Sequence, residues 1–150
     1  VPREPRRPLR ALDARSFAVL AAVAERVAPG GPSPNGAAFP SASDVMVPEK
    51  IDALLATCDP AMTGEVSQAL LLLENALAGL VLDGRARAFT ACDADEQEAI
   101  LEGWRTSRLH LRRQVYKALR GLCASAYYAS PEVYAAVGYP GPPSFGEVPG

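Results

Sequence analysis

Residues that carry chemistry are scarce in this sequence. Histidine occurs once, at His110, and cysteine three times, at Cys58, Cys92 and Cys123, in 150 residues. A lone imidazole excludes a two-histidine metal site. The cysteines contain no CxxC and no CxxCH, and structural zinc and haem attachment both need such closely spaced pairs. Gly79, Gly84 and Gly121 are isolated, with no GxGxxG and no GxxxxGK, so the usual phosphate-cradling loops are missing. Charge of one sign is lacking as well. Fifteen Lys and Arg stand against seventeen Asp and Glu for a net charge of −2, which leaves no footprint for nucleic acid. No apolar run approaches the ~18 residues of a membrane span. Strand signals are also absent, because no segment alternates apolar and polar residues with β-branched enrichment.

What is present is a globular composition. Apolar residues make up 49% and charged residues 21%, which excludes wholesale disorder. The first ten residues, VPREPRRPLR, hold three Pro and four Arg and read as an extended arm. Helical spacing of Phe17, Leu20, Ala21, Ala24 and Val27 predicts a first helix over Asp13 to Ala28, with Asp13 as its cap. Residues Pro29 to Ser43 contain four Pro and three Gly, and are expected to form a loop without regular structure. A shorter helix follows to Thr57, its first turn near Pro48, with Ile51, Leu54 and Leu55 facing inward. Pro60 opens the strongest helical pattern, to about Leu82 and closed by Asp83-Gly84. Its stripe of Met62, Val66, Ala69, Leu70, Leu73, Leu77, Leu80 and Val81 predicts a central helix. Asp93 and Glu96 form a capping box before Ile100, Leu101 and Trp104. From Ser107 to Tyr128 the pattern continues through Leu111, Val115, Leu119, Leu122 and Ala126, as one bent helix or as two packed ones. Ser130-Pro131-Glu132 starts a last short turn that Gly138 stops. The expected fold is all-α, a compact domain of five or six helices. It divides into a flexible arm at residues 1–12, a helical domain at 13–138, and a Pro/Gly-rich tail at 139–150.

Catalytic chemistry is hard to assemble from these parts. His110 has no partner acid nearby, since no Asp or Glu lies between Glu102 and Glu132. The basic run Arg105, Arg108, Arg112, Arg113, Lys117 and Arg120 reads as a solvated face paired with Asp93 to Glu102, or as a surface that docks an acidic partner. Nucleic acid is a third reading, against which aromatic residues are not interleaved in any stacking pattern. Buried small hydrophobes are one reading of the cysteines. In a secreted chain, one disulfide with a third thiol bonded to a partner is the other. Tyrosine is the most unevenly placed residue. All five, Tyr116, Tyr127, Tyr128, Tyr134 and Tyr139, lie in the last third of the chain. They either cover an open end of the core or present an interface, where rigid amphipathic rings are favoured.

The segments Leu20-Ala21-Ala22-Val23-Ala24-Glu25-Arg26-Val27-Ala28-Pro29, Asn35-Gly36-Ala37 and Ile51-Asp52 resemble the gluconate 2-dehydrogenase subunit 3 family. So do Tyr127-Tyr128-Ala129-Ser130-Pro131 and Gly138-Tyr139-Pro140-Gly141, which are similar to its closing signature. Ala126 stands where that family usually has Gly. The resemblance spans Leu12 to Pro143 and implies a non-catalytic small subunit. Its expected partner is a large FAD-bearing dehydrogenase of the glucose-methanol-choline type acting on sugars or related alcohols, often with a multihaem cytochrome c subunit. No cofactor or metal is expected on this chain. The resemblance also implies a chaperone-like role in maturation and export with a twin-arginine signal. Arg6-Arg7 resembles half of such a signal, but the apolar stretch that should follow is missing, and the sequence departs from the family pattern there. A signal removed upstream of Val1 would place the protein in the periplasm, and without one it stays in the cytoplasm. The residues expected to meet the partner are Pro29, Asn35, Gly36, Phe39, Tyr127, Tyr128, Ser130, Pro131, Tyr134, Gly138, Tyr139, Pro140 and Gly141. The competing readings are a cytoplasmic helical adaptor or regulator without an oxidoreductase partner, and a self-sufficient enzyme that uses His110 with arginines.

Overall fold

In the computed structural model, residues 4–32, 38–75 and 88–137 are described. The predicted positions Asn35, Gly36, Leu77, Leu80, Val81, the Asp83-Gly84 stop and everything from Gly138 onward lie outside them. Six α-helices are described: α1 (Ala14–Val27), α2 (Val47–Leu55), α3 (Pro60–Glu74), α4 (Ala94–Arg105), α5 (His110–Tyr128) and α6 (Pro131–Val137). A 3₁₀ turn at Phe89–Ala91 and two two-residue strands, β1 (Gly31–Pro32) and β2 (Ala38–Phe39), complete the set. The fold is all-α apart from that ribbon.

Helix α1 begins where Asp13 accepts a hydrogen bond from the Ser16 amide at 2.7 Å, satisfying one of the free amides of the first turn. Phe17, Val19, Leu20, Val23 and Ala24 are fully buried. Alanines at 18, 21 and 24 let neighbouring helices approach closely, so α1 packs against α2, α3, α4 and α5. The central helix is therefore α1, and the expectation for α3 is corrected. Only Leu70, Leu73 and Glu74 of α3 are buried, whereas Met62 is 53% and Leu72 42% exposed. Four consecutive leucines, Leu70 to Leu73, span more than half a helical turn's circumference, so they cannot all face one neighbour. Leu54, also expected inside, is exposed on α2.

Residues 4–12 lie along α2. The Asp52 carboxylate, itself buried, accepts backbone amides from Arg10 at 2.8 Å, Ala11 at 3.0 Å and Leu12 at 2.8 Å. The chain is thereby led into α1, with Leu12 buried in the core. Glu49 takes the Arg6 amide one turn earlier. At the other side, buried Glu74 accepts both the amide and the hydroxyl of Thr90, joining the end of α3 to the 3₁₀ turn. The capping box of α4 forms as its sequence predicts, with both reciprocal bonds between Asp93 and Glu96 present. Ile100, Leu101 and Trp104 are buried below it. Helices α4 and α5 are separate elements. The Thr106 hydroxyl bonds back to the Glu102 carbonyl and the Ser107 hydroxyl accepts the Leu109 amide, so the chain turns between them. Leu111, placed on the apolar face by its spacing, is 60% exposed just after this turn.

The described parts of the loop after α1, residues 29–32 and 38–43, hold more regular structure than their composition predicts. β1 and β2 pair antiparallel, Gly31 opposite Phe39 and Pro32 opposite Ala38. The prolines and glycines exclude a long strand but leave this minimal ribbon open. Gly30 makes it fit, because at φ +84° a Cβ there would lie 3.0 Å from the Phe39 carbonyl oxygen and the Ser41 amide nitrogen. The Ala42 amide then bonds to the Ala28 carbonyl at 2.8 Å and closes the loop against the end of α1.

Candidate functional site

The carboxyl end of α5 meets this closed loop. The Tyr127 ring is buried, and its hydroxyl donates to the Pro40 carbonyl at 2.6 Å. One long-range bond thus pins the Pro29–Ser43 loop to the helix that carries the tyrosine pair. Burial pushes the Tyr127 phenol above its ordinary value, with the neighbouring Tyr128 ring and the Asp44 carboxylate adding to the effect. The phenol remains a donor at neutral pH. Asp44 is held below the ordinary carboxylate range by the Ser41 amide first and the Ser41 hydroxyl second. The Ser41 amide donates to the Asp44 carboxylate at 3.0 Å and the Asp44 amide donates back to the Ser41 hydroxyl oxygen at 3.1 Å, which stiffens the turn that follows Pro40.

Tyr128 packs edge-to-face on Tyr127, ring centroids 5.2 Å apart, yet stays 57% exposed. Beside it is an open depression of about 300 Å³ walled by Pro29, Gly31, Pro32, Phe39 and the two tyrosines. Ser130 lies behind the surface. Its hydroxyl donates to the Ala126 carbonyl at 2.9 Å and accepts from Lys50 Nζ at 2.9 Å, while Lys50 also reaches Glu132 at 3.7 Å. Helix α2 is in this way tied to the start of α6. Pro131 is exposed at the first position of α6, and the half-buried Tyr134 donates to the Ala129 carbonyl at 3.3 Å.

Of the residues expected to meet a partner, Pro29, Phe39, Tyr127, Tyr128, Ser130, Pro131 and Tyr134 come together at one end of the molecule. Asn35, Gly36, Gly138, Tyr139, Pro140 and Gly141 lie outside the described residues. Tyr127 and Ser130 point inward and position the others, whereas Pro29, Tyr128 and Pro131 face out. Sequence reasoning missed Pro40, whose carbonyl is the anchor, and Lys50, whose pairing across 80 residues leaves no local signal. Gly30-Gly31 was a readable sign of the tight approach.

Elsewhere the chemistry-bearing residues stand apart. His110 is exposed at the start of α5, its polar neighbour the guanidinium of Arg113. Among the described residues no disulfide joins Cys58, Cys92 or Cys123. Burial pushes the Cys123 thiol up to about 12. Among the described residues no group of three His, Cys, Asp or Glu is placed to hold a metal ion.

The family model for gluconate 2-dehydrogenase subunit 3 matches residues 14–141, which takes in α1, the ribbon, Asp52 and the tyrosine end. The chain belongs to that family. Comparison with curated proteins and with solved structures gives no match. Subunit 3 is named as one part of a dehydrogenase assembly, so membership assigns this chain to a subunit role. The motifs that carried the resemblance now have physical work. Asp52 steers the amino-terminal segment, and Tyr127, Tyr128 and Ser130 build one end of the molecule.

Proposed function

We propose that this chain is a non-catalytic small subunit that binds and stabilises a large FAD-dependent dehydrogenase of the glucose-methanol-choline type, acting on sugars or related alcohols. The observation that carries the reading is the tyrosine end. Buried bonds from Tyr127 and Ser130 hold a rigid frame, and on that frame an exposed ring, Tyr128, stands beside a proline-walled depression. A side chain of that size held rigid loses little entropy on docking, which suits it to anchor an interface. Family membership supports a dehydrogenase as the partner. FAD belongs to the large subunit in this proposal, a cytochrome c subunit joins the same assembly, and the small subunit helps the large one mature and reach the periplasm.

Co-purification from the native host at low salt tests this. A larger chain should co-elute with flavin absorbance near about 450 nm, the cofactor carrying the redox chemistry. The isolated small subunit should oxidise no sugar or alcohol with an artificial electron acceptor. Turnover by the isolated chain would refute the non-catalytic assignment, and a lone colourless chain would refute the partner.

A further inference from the structure

The opposite end of α5 carries a different surface. Between Glu102 and Glu132 the chain has no carboxylate, while Arg105, Arg108, Arg112, Arg113, Lys117 and Arg120 supply six of its fifteen cations. Arg105 is neutralised by Glu102, and Arg112 stacks over the Trp104 ring at 5.4 Å. Among the described residues no carboxylate pairs with Arg108, Lys117 or Arg120. Two large apolar side chains stand in the middle of this charge: Leu109 is 58% and Leu111 60% exposed at the turn between α4 and α5. Exposed leucines flanked in sequence by Arg108 and Arg112 combine apolar insertion with attraction to negative charge, which is the physical pattern of a membrane-surface contact. Leucine is under-represented among the hot spots of protein interfaces, whereas exposed leucine beside basic residues suits insertion into a lipid headgroup layer.

We propose that the α4–α5 corner docks peripherally on an anionic phospholipid surface, with Leu109 and Leu111 entering the headgroup layer and Arg108 and its basic neighbours meeting the phosphates. No described helix is long and apolar enough to cross a membrane, so the contact is superficial. Helix α5 has 19 residues, which puts this corner about 28 Å from the tyrosine end at ~1.5 Å per residue. Both surfaces are therefore available at once. The test is co-sedimentation of the full chain, without any partner, with vesicles of phosphatidylcholine alone or mixed with phosphatidylglycerol. Binding is expected only to the phosphatidylglycerol vesicles, and is expected to fall as salt rises. Arg108→Glu, and separately the Leu109→Ser/Leu111→Ser pair, should each weaken it about tenfold or more. Circular dichroism should show both variants with native helix content, as expected for exposed positions. Equal affinity for the two vesicle types, or no affinity for either, overturns the proposal. So does undiminished binding by the leucine variant, since charge alone would then suffice and an acidic protein surface would be the better occupant.

Discussion

At the scale of single residues, Asp52 shows how one buried carboxylate directs a chain. Three successive amides converge on its two oxygens, and removing them strands three donors at the edge of the core. Hydrogen bonds to a charged group contribute about 1.5–3 kcal/mol each and are not additive, so Asp52→Ala should cost about 2–4 kcal/mol, read as a lower urea midpoint. Asp52→Asn keeps an acceptor and should cost less. Cys123 makes a prediction of the opposite kind. Its folded pKa of about 12 lies above the ordinary 9.0, so the folded state holds its proton more tightly than the unfolded chain. The resulting stability is complete below about pH 9 and is lost as pH rises toward about 12, with a slope of at most about 1.4 kcal/mol per unit from this group. Tyr127 shifts in the same direction and adds to the loss at high pH. Urea midpoints at pH 7, 9 and 10.5 should fall in that order, and Cys123→Ala should flatten the decline. A thiol-reactive probe should label Cys58 and Cys92 before Cys123.

At the scale of elements, the parts governed by local chemistry were readable and the parts governed by packing were not. Asp13 and Asp93 mark helix starts because a short oxygen-bearing side chain satisfies amides within three residues, a matter of local geometry. The rank order of helices is a tertiary property. Helix α3 has the more apolar sequence, but its leucines are consecutive and go to several faces. Helix α1 takes the centre because its alanines admit neighbours on several sides. The break between α4 and α5 was likewise undecidable from spacing, since the bonds that make it run through Thr106 and Ser107 to backbone groups. Of the candidate site, the tyrosines and prolines were visible as composition. The bond that joins Tyr127 to Pro40 spans 87 residues and leaves no trace in sequence. The ribbon offers a test at this scale. Gly30→Ala would place a methyl against backbone atoms at a positive φ, and should cost about 1–3 kcal/mol while loosening the loop that Tyr127 holds. Gly31→Ala is strained by its own positive φ but meets no neighbouring atom, so its cost should be the smaller of the two.

At the scale of the whole molecule, one helix organises the surfaces. Helix α5 passes through the core with Leu119, Cys123 and Tyr127, and carries a basic, leucine-tipped corner at one end and the tyrosine frame at the other. The central claim is that the tyrosine end exists to hold another subunit. The most direct measurement replaces Tyr128, whose ring is exposed, and compares complex formation with folding. In Tyr128→Ala, co-purification of the flavoprotein should fall with an affinity loss of about 30-fold or more, the size expected for an interface anchor. The thermal midpoint of the isolated chain should move by less than ~2 °C, as for an exposed position. A complex that forms as tightly with Tyr128→Ala as with the unaltered chain would contradict the account.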